Sequence, residues 1–246
     1  SYVTGWLANQ VMEKAKEVPN VSVDPYTGFS AHKVVFEDGR VAGVAVSEDP
    51  KSEDDYVYAR FTCFGDKGFI SRDVIEHFKL RDCPQIWSVG VKEVWQVDKD
   101  YAGKVWHTLG WPLLDGTFGG GFVYGMKDNK LTIGMVISLD SADPNMNPQL
   151  KLQEYKKHPW IQEMIKGGKL LKYGAALLPE GGYYSLPKKF HFNGGLLLGD
   201  ALGVLDVKNL AGIDRAMECG YVGAQVVFDA LMKGDTSEGS LAAYDE

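Results

Sequence analysis

Residues 194–220 read GGLLLGDALGVLDVKNLAGIDRAMECG. Gly194-Gly195 leads into Leu196-Leu197-Leu198, a short unbroken apolar run that reads as a strand buried on both faces. Gly199-Asp200 turns the chain sharply out of the sheet, and Gly203 permits close approach of the backbone. A helix is expected to follow, over roughly residues 212–233. In an open sheet of parallel strands, ligands collect beyond the carboxyl ends of the strands. A carboxylate at Asp200 can accept there from a ribose-type hydroxyl. The helix start near Ala211-Gly212 offers free N–H groups and a positive dipole end to a group that gains negative charge on reduction. The bland alternative is a strand, turn and helix with an aspartate at the turn, and the short GDAxG pattern alone does not choose between them.

Upstream, TGWLANQVMEKAKE (4–17) spaces Trp6, Leu7, Val11, Met12 and Ala15 for an amphipathic helix. Val21–Val23 reads as a short strand. FSAHKVVFEDGRVAGVAVSE (29–48) is a hairpin with Asp38-Gly39 at its tip, followed by a polar loop, Ser47–Asp55. VYARFTCFGDKG (57–68) is a strand entering a Gly-flanked turn, and FISRDVIEHFKL (69–80) is a helix. The texture then changes. IWSVGVKEVWQV, GKVWHTLGWPL, GTFGGGFVYGM and KLTIGMVISL are four strand-like runs joined by short turns, which implies an antiparallel sheet. PQLKLQEYKKHPWIQEMIKGG (148–168) is helical with a break at Pro159, and residues 173–195 form a Gly-rich connection. The fold class is α/β (α+β). A nucleotide-type lobe is assembled from residues 1–84 and 190–246, with an antiparallel-sheet lobe, 85–189, inserted between them.

Composition narrows the function. The 246 residues carry 26 Lys and Arg against 33 Asp and Glu, a net charge of −7 that gives no general nucleic-acid surface. No apolar run approaches the length of a membrane span, although monotopic contact through loops would leave no such trace. Cys63, Cys83 and Cys219 are far apart without CxxC spacing and read as idle thiols of a reducing compartment, and no metal site is expected. The chain opens at Ser1 without a signal-like segment, as a processed chain or an incomplete one would.

Longer motifs carry a resemblance over nearly the whole sequence. SYVTGWLANQVMEKAKE, GVKEVWQV (90–97), HTLGWPL (107–113), TFGGGFVYGM (117–126), DPNMNPQLKLQEYKKHP (143–159), GGKLLKYGAALLPEGGYYSLPK (167–188) and GGLLLGDALG (194–203) occur in the order of the electron transfer flavoprotein–ubiquinone oxidoreductase family and its FixC-type relatives, which this sequence resembles. The resemblance implies a glutathione-reductase-like FAD-binding lobe, discontinuous in sequence, and an inserted quinone-binding-like lobe. It implies a peripheral protein on the matrix face of the mitochondrial inner membrane, or a bacterial equivalent. Electrons would pass from a soluble flavoprotein through FAD and a 4Fe–4S cluster to ubiquinone. The residues that match are Gly65, Asp66, Gly199, Asp200, Gly203 and Gly212 for FAD. Gly119 and Gly120, with Phe118, match for the quinone, and Phe122 and Trp111 are further apolar walls that read equally as sheet-core aromatics. No catalytic acid or base is named, because electron relay between cofactors requires none.

Three departures stand against the matches. The 246 residues contain no GxGxxG, whose amides cradle the FAD pyrophosphate, and no four-cysteine set for a cluster. The family's helix start resembles G-T-H-T-A-M-K-S-G where this chain has Gly212-Ile213-Asp214-Arg215-Ala216-Met217-Glu218-Cys219-Gly220, and the asparagine of A-L-N-E-G-G is Pro179. Two readings follow. One is a non-catalytic accessory subunit of a mitochondrial membrane complex, with other subunits covering the open part of the FAD lobe. The other is a fragment or split subunit of an active FAD-dependent oxidoreductase that reduces ubiquinone.

Overall fold

A computed structural model describes residues 2–47 and 54–246. Two hydrophobic cores organise them. The first gathers Val34, Val41, Phe64, Val74, Phe192, Leu196, Leu197 and Leu241, so it draws on both ends of the chain. The second gathers Val91, Val123, Leu131, Ile133, Met135, Ile137, Leu152 and Ile161 from the middle.

Helix α1 (Tyr2–Lys16) precedes an antiparallel hairpin, β1 (Ser30–Glu37) and β2 (Arg40–Ser47). Asp38 and Gly39 both have positive φ, the two-residue turn that the Asp-Gly pair favours. The run at 57–68, expected as one strand, is two. β3 (Asp55–Tyr58) extends the hairpin by pairing antiparallel with β2, and β4 (Thr62–Phe64) leaves for another sheet. Val21–Val23 forms no strand, since no neighbouring strand pairs with it. The polar loop expected at Ser47–Asp55 lies mostly outside the described residues.

β4 runs parallel to β11 (Gly195–Leu197), which also pairs antiparallel with β10 (His191–Phe192). Both glycines of the opening motif serve this junction. A Cβ at Gly195 would lie 1.9 Å from the Thr62 carbonyl oxygen, and one at Gly194, where φ is +101°, would lie 2.3 Å from that of Val41. Helix α2 (Ser71–His77) follows β4, and α5 (Ile213–Met232) follows β11 after a short 3-10 turn at Gly199–Ala201.

The middle of the chain forms one antiparallel sheet of five strands: β5 (Trp87–Gln96), β6 (Val105–Thr108), β7 (Gly119–Met126), β8 (Lys130–Ser138) and β9 (Lys169–Pro179). Their spatial order is β6-β7-β8-β5-β9. The fifth strand takes residues 173–179, the start of the segment expected to be a Gly-rich connection, together with the four residues before them. Helices α3 (Pro148–Tyr155) and α4 (Pro159–Ile165) are separate, as the break at Pro159 requires, and Asn147 caps α3 by accepting from Gln149 and Leu150 N–H groups. These helices cover the face bearing Val91, Glu93, Ile133 and Met135.

Glu93 is buried in that face. Its carboxylate accepts from Lys156 Nζ (2.7 and 2.9 Å), Gln153 Nε2 (3.1 Å) and Trp95 Nε1 (2.9 Å). Burial pushes the carboxyl pKa up, but the bonds from Lys156, Gln153 and Trp95 outweigh burial and hold it below the usual value. A depressed carboxyl pKa contributes stability above its unfolded value of about 4.3, which is lost as pH falls through the folded value. Lys156→Met strands a buried anion and is expected to cost about 3–5 kcal/mol, read as a lower urea midpoint. Glu93→Gln should flatten the loss of stability on the acid side, read from urea midpoints across that range.

Candidate functional site

Because β4 and β11 are parallel neighbours, their carboxyl ends deliver two turns side by side. From β4 comes Gly65-Asp66-Lys67-Gly68; from β11 comes Gly199-Asp200-Ala201. Lys67 Nζ stands 3.8 Å from Asp200 Oδ2 across the gap. Asp66 Oδ2 accepts from the N–H groups of Phe69 (2.6 Å) and Ile70 (3.1 Å) and so starts α2, while its Oδ1 is buried with no partner. A Cβ at Gly65 would meet nothing within 4 Å, so its backbone borders open space. Gly199 packs on α5, where a Cβ would lie 3.0 Å from that of Ala216. Gly212 heads α5 with no side-chain cap, leaving the first N–H groups of that helix without a side-chain partner. The six residues predicted for FAD therefore sit at or just beyond the carboxyl ends of the parallel pair and at the head of the following helix.

Gly203 has φ +88°, and a Cβ there would fall 2.4 Å from Gln85 Nε2 and 3.9 Å from Pro179 Cβ. The end of β9 and the start of β5 thus meet the turn after β11. The meeting is reinforced by Gly181 N–H donating to Gln85 Oε1 (2.7 Å) and by Ser185 Oγ donating to the Pro84 carbonyl (2.8 Å). The buried Ser88 hydroxyl donates to Glu180 at the same place, and burial pushes the Glu180 carboxyl up despite that bond.

The other predicted group lies at the start of β7. Phe118 is 58% exposed, beside the connection that exposes Leu109 and Leu114. Gly119 and Gly120 are closely packed by their own chain. A Cβ on Gly119 would strike the Val136 carbonyl oxygen at 2.3 Å, and one on Gly120 the Thr108 carbonyl oxygen at 2.6 Å. Trp111 and Phe122, the further apolar walls, are both half-buried. Phe122 fills the space over Gly134, where a Cβ would lie 2.2 Å from its ring.

Strand register connects the two groups. Gly120 pairs with Val136, Val136 with Gly90, and Gly90 with Ala176, so four small or β-branched residues form one row across four strands. Side chains alternate along a strand, so this row faces away from the helix-covered side that holds Val91 and Glu93. Sequence reasoning missed Gly90, Val136 and Ala176. The available signal was the small residue two positions before Lys92 and two before Leu178, legible only once the strand order was known.

Solved structures of flavin-dependent halogenases share this fold. A geranylgeranyl bacteriochlorophyll reductase-like protein from Thermoplasma acidophilum superposes with TM-score 0.69 at 20% identity, covering 88% of this chain and 52% of that one. A flavin-dependent brominase variant gives TM-score 0.64 at 16% identity, covering 96% of this chain and 58% of the brominase. Residues 87–178 match the family described as ETF-QO, ubiquinone-binding. The mitochondrial electron transfer flavoprotein–ubiquinone oxidoreductase of Caenorhabditis elegans is 38% identical over 99% of this chain and 43% of its own length. The chain belongs to the electron transfer flavoprotein–ubiquinone oxidoreductase family. It spans less than half the length of the curated relatives it matches.

Gly203→Ala is expected to destabilise the fold by about 1–3 kcal/mol, from positive φ and the collision with Gln85. Gly65→Ala should change the stability by under about 1 kcal/mol, because its Cβ enters open space. Chemical denaturation of the two variants side by side checks the contrast.

Proposed function

We propose that this chain forms the quinone-facing part of an electron transfer flavoprotein–ubiquinone oxidoreductase and seats the flavin half of FAD. The reading rests on one observation: the row from Gly120 through Val136 and Gly90 to Ala176 crosses four strands and reaches β9, whose last residue, Pro179, lies beside Gly203 in the turn after β11. A cofactor at the turn and a quinone at Phe118, Gly119 and Gly120 would then lie on one continuous face.

The residues present fit the flavin end of the dinucleotide. Asp66 Oδ1 is a buried acceptor without a partner, Gly65 borders open space, and the head of α5 has no side-chain cap. They do not supply the pyrophosphate cradle, for which a GxGxxG unit would come from another segment or subunit. FAD, when bound, supplies the two-electron carrier between donor and quinone. Asp200 would accept from a ribityl hydroxyl, a role for which it would exchange its long contact with Lys67. The α5 head would favour negative charge on the ring. Phe118 would wall the quinone ring, and the exposed Leu109 and Leu114 beside it would meet the acyl region of a membrane as a peripheral contact. By kinship the place of action is the matrix face of the mitochondrial inner membrane.

A second reading, a non-catalytic accessory subunit of a mitochondrial membrane complex, is favoured by the α5 head. Ile213, Arg215 and Glu218 stand where the family resemblance places two threonines and a lysine, and Arg215 pairs with Glu218 at 3.3 Å. In that role partner subunits would cover the free edge of β4 and the exposed Met217, Tyr221, Phe228 and Met232 of α5.

The absorption spectrum of the chain in its native complex separates the two. The two-band spectrum of bound flavin is expected, and Asp200→Ala should lower flavin content at least several-fold. A complex isolated under mild conditions with no flavin would overturn the first reading. Phe118→Ala should weaken quinone reduction several-fold at unchanged flavin content. It is the better probe of the quinone end, since any side chain at Gly120 would collide with the backbone of β6.

A further inference from the structure

Phe118, Gly119 and Gly120, the residues matched to the quinone, carry no side chain that can give up a proton. Reducing a quinone to a quinol takes two electrons and two protons, one proton at each ring oxygen. Strand register identifies the protic groups on the same surface. A Cβ at Gly121 would meet the Tyr155 ring of α3 at 2.5 Å, so positions 120, 122 and 124 of β7 face the other way, off the helix-covered side. His107 on β6 pairs with Phe122 and stands on that same face, diagonal to both Gly120 and Tyr124. Its neighbour on that side of β6, Leu109, has Cδ2 3.1 Å from where a Gly120 Cβ would be. His107 Nε2 lies 2.9 Å from the Tyr124 hydroxyl, with the two rings edge to face at 5.6 Å. The Phe122 ring flanks Tyr124 at 4.9 Å. His107 is exposed, and its Nδ1 has no protein partner among the described residues. Other hydroxyls near Gly120 are engaged: Ser138 with Asp140, Thr117 with Ser141, and Thr108 with Tyr155 on the helix side.

We propose that His107 gives a proton to the quinone and that Tyr124 orients its ring. The inference rests on the electron-transfer reading and adds a proton donor to the same site. An imidazolium carries N–H on both ring nitrogens. Nε2–H donates to the Tyr124 oxygen, which leaves Nδ1–H as the free donor. Burial pushes the Tyr124 phenol up, so its hydroxyl stays neutral and does not compete as an acid. Two electrons reach the quinone from the reduced carrier. The Nδ1–H bond breaks as an O–H bond forms at the near quinone oxygen, and the ring is left neutral with its remaining proton on Nε2. The far oxygen takes its proton from water, and water returns a proton to the exposed Nδ1. Tyr124 thus fixes which nitrogen gives up its proton, as the partner of a ring nitrogen does in general.

The test is a single turnover of the native complex, reduced with dithionite and mixed with a short-chain ubiquinone analogue. His107→Ala is expected to slow reoxidation by the quinone about a hundredfold. Free imidazole should restore much of that rate, because the vacated position is open to solvent. Tyr124→Phe should slow it several-fold. A second readout needs no turnover. In infrared difference spectra of the analogue bound to the oxidised complex, one quinone carbonyl stretch is expected to be lowered by the hydrogen bond from His107 and to move back up in His107→Ala. Near-ultraviolet circular dichroism checks that each variant is native, and His107→Gln serves where His107→Ala fails to fold. A folded His107 variant that reduces quinone at the wild-type rate would overturn the proposal. So would a slowed His107→Ala that imidazole does not rescue and whose quinone carbonyl stretch is unchanged, since that is the result of a structural role. A wild-type complex that reduces no quinone overturns the electron-transfer reading, and this inference with it.

Discussion

Three backbone pairings, Gly195 with Thr62, Leu196 with Cys63 and Leu197 with Phe64, join distant parts of the chain and fix everything around them. They require glycine at 194 and 195, because the carbonyl oxygens of Val41 and Thr62 occupy the space where side chains would stand. Val41 N–H donates to Asn193 and Thr62 N–H to Gly194, so the hairpin and the parallel pair are locked at one point. With those strands in register, their carboxyl ends place Asp66 and Asp200 in adjacent turns. The middle of the chain is then closed into a loop between two anchored strands, and its sheet must emerge on the side where those turns lie. A larger residue at either glycine would unseat the candidate site without touching it.

Much of this was legible in residue patterns. The apolar run after Gly194-Gly195 announced a buried strand, Asp38-Gly39 a tight hairpin, Pro159 a helix break, and the alternation in IWSVGVKEVWQV a strand with two distinct faces. β9 was not, for physical reasons. KLLKYGAALLP carries Gly174 and paired alanines, poor strand formers, and most of it is exposed, so no in–out alternation marks it. It is a strand because β5 offers it a free edge, which is a tertiary fact. The order β6-β7-β8-β5-β9 is equally invisible locally, since it puts the first strand of the run between the last two. The split of VYARFTCF between two sheets likewise depends on which edges β2 and β11 leave unpaired.

The same distinction governs the site. Gly199 and Gly203, whose role is conformational, could be read from their setting in a turn, whereas Asp66 was marked only by the family resemblance. Residues whose role is positional could not be read so. Gln85 and Arg81 follow a short helix in an unremarkable loop, and only the fold shows that their side-chain ends reach the turn of Leu202 and Gly203. Gly90 and Ala176 matter only as members of one cross-strand row.

Substitutions at the head of α5 can be weighed on the same geometry. The helix meets the turn after β11 through Ala216, whose Cβ stands against Gly199, whereas Asp214, Arg215 and Glu218 are exposed and the last two neutralise one another. The charge changes therefore fall on the helix surface and leave the contact that seats the turn intact. Ile213 differs in kind. It is the first helical residue after Gly212, so an apolar branch there, where the family resemblance places a threonine, offers no hydrogen-bonding group beside the free backbone N–H groups. The dipole of the helix is unaltered by that change, because it arises from the peptide units. What is lost is a side-chain donor that could orient a ring in its field. A flavin seated here would keep the electrostatic support of the helix and have less to fix its angle.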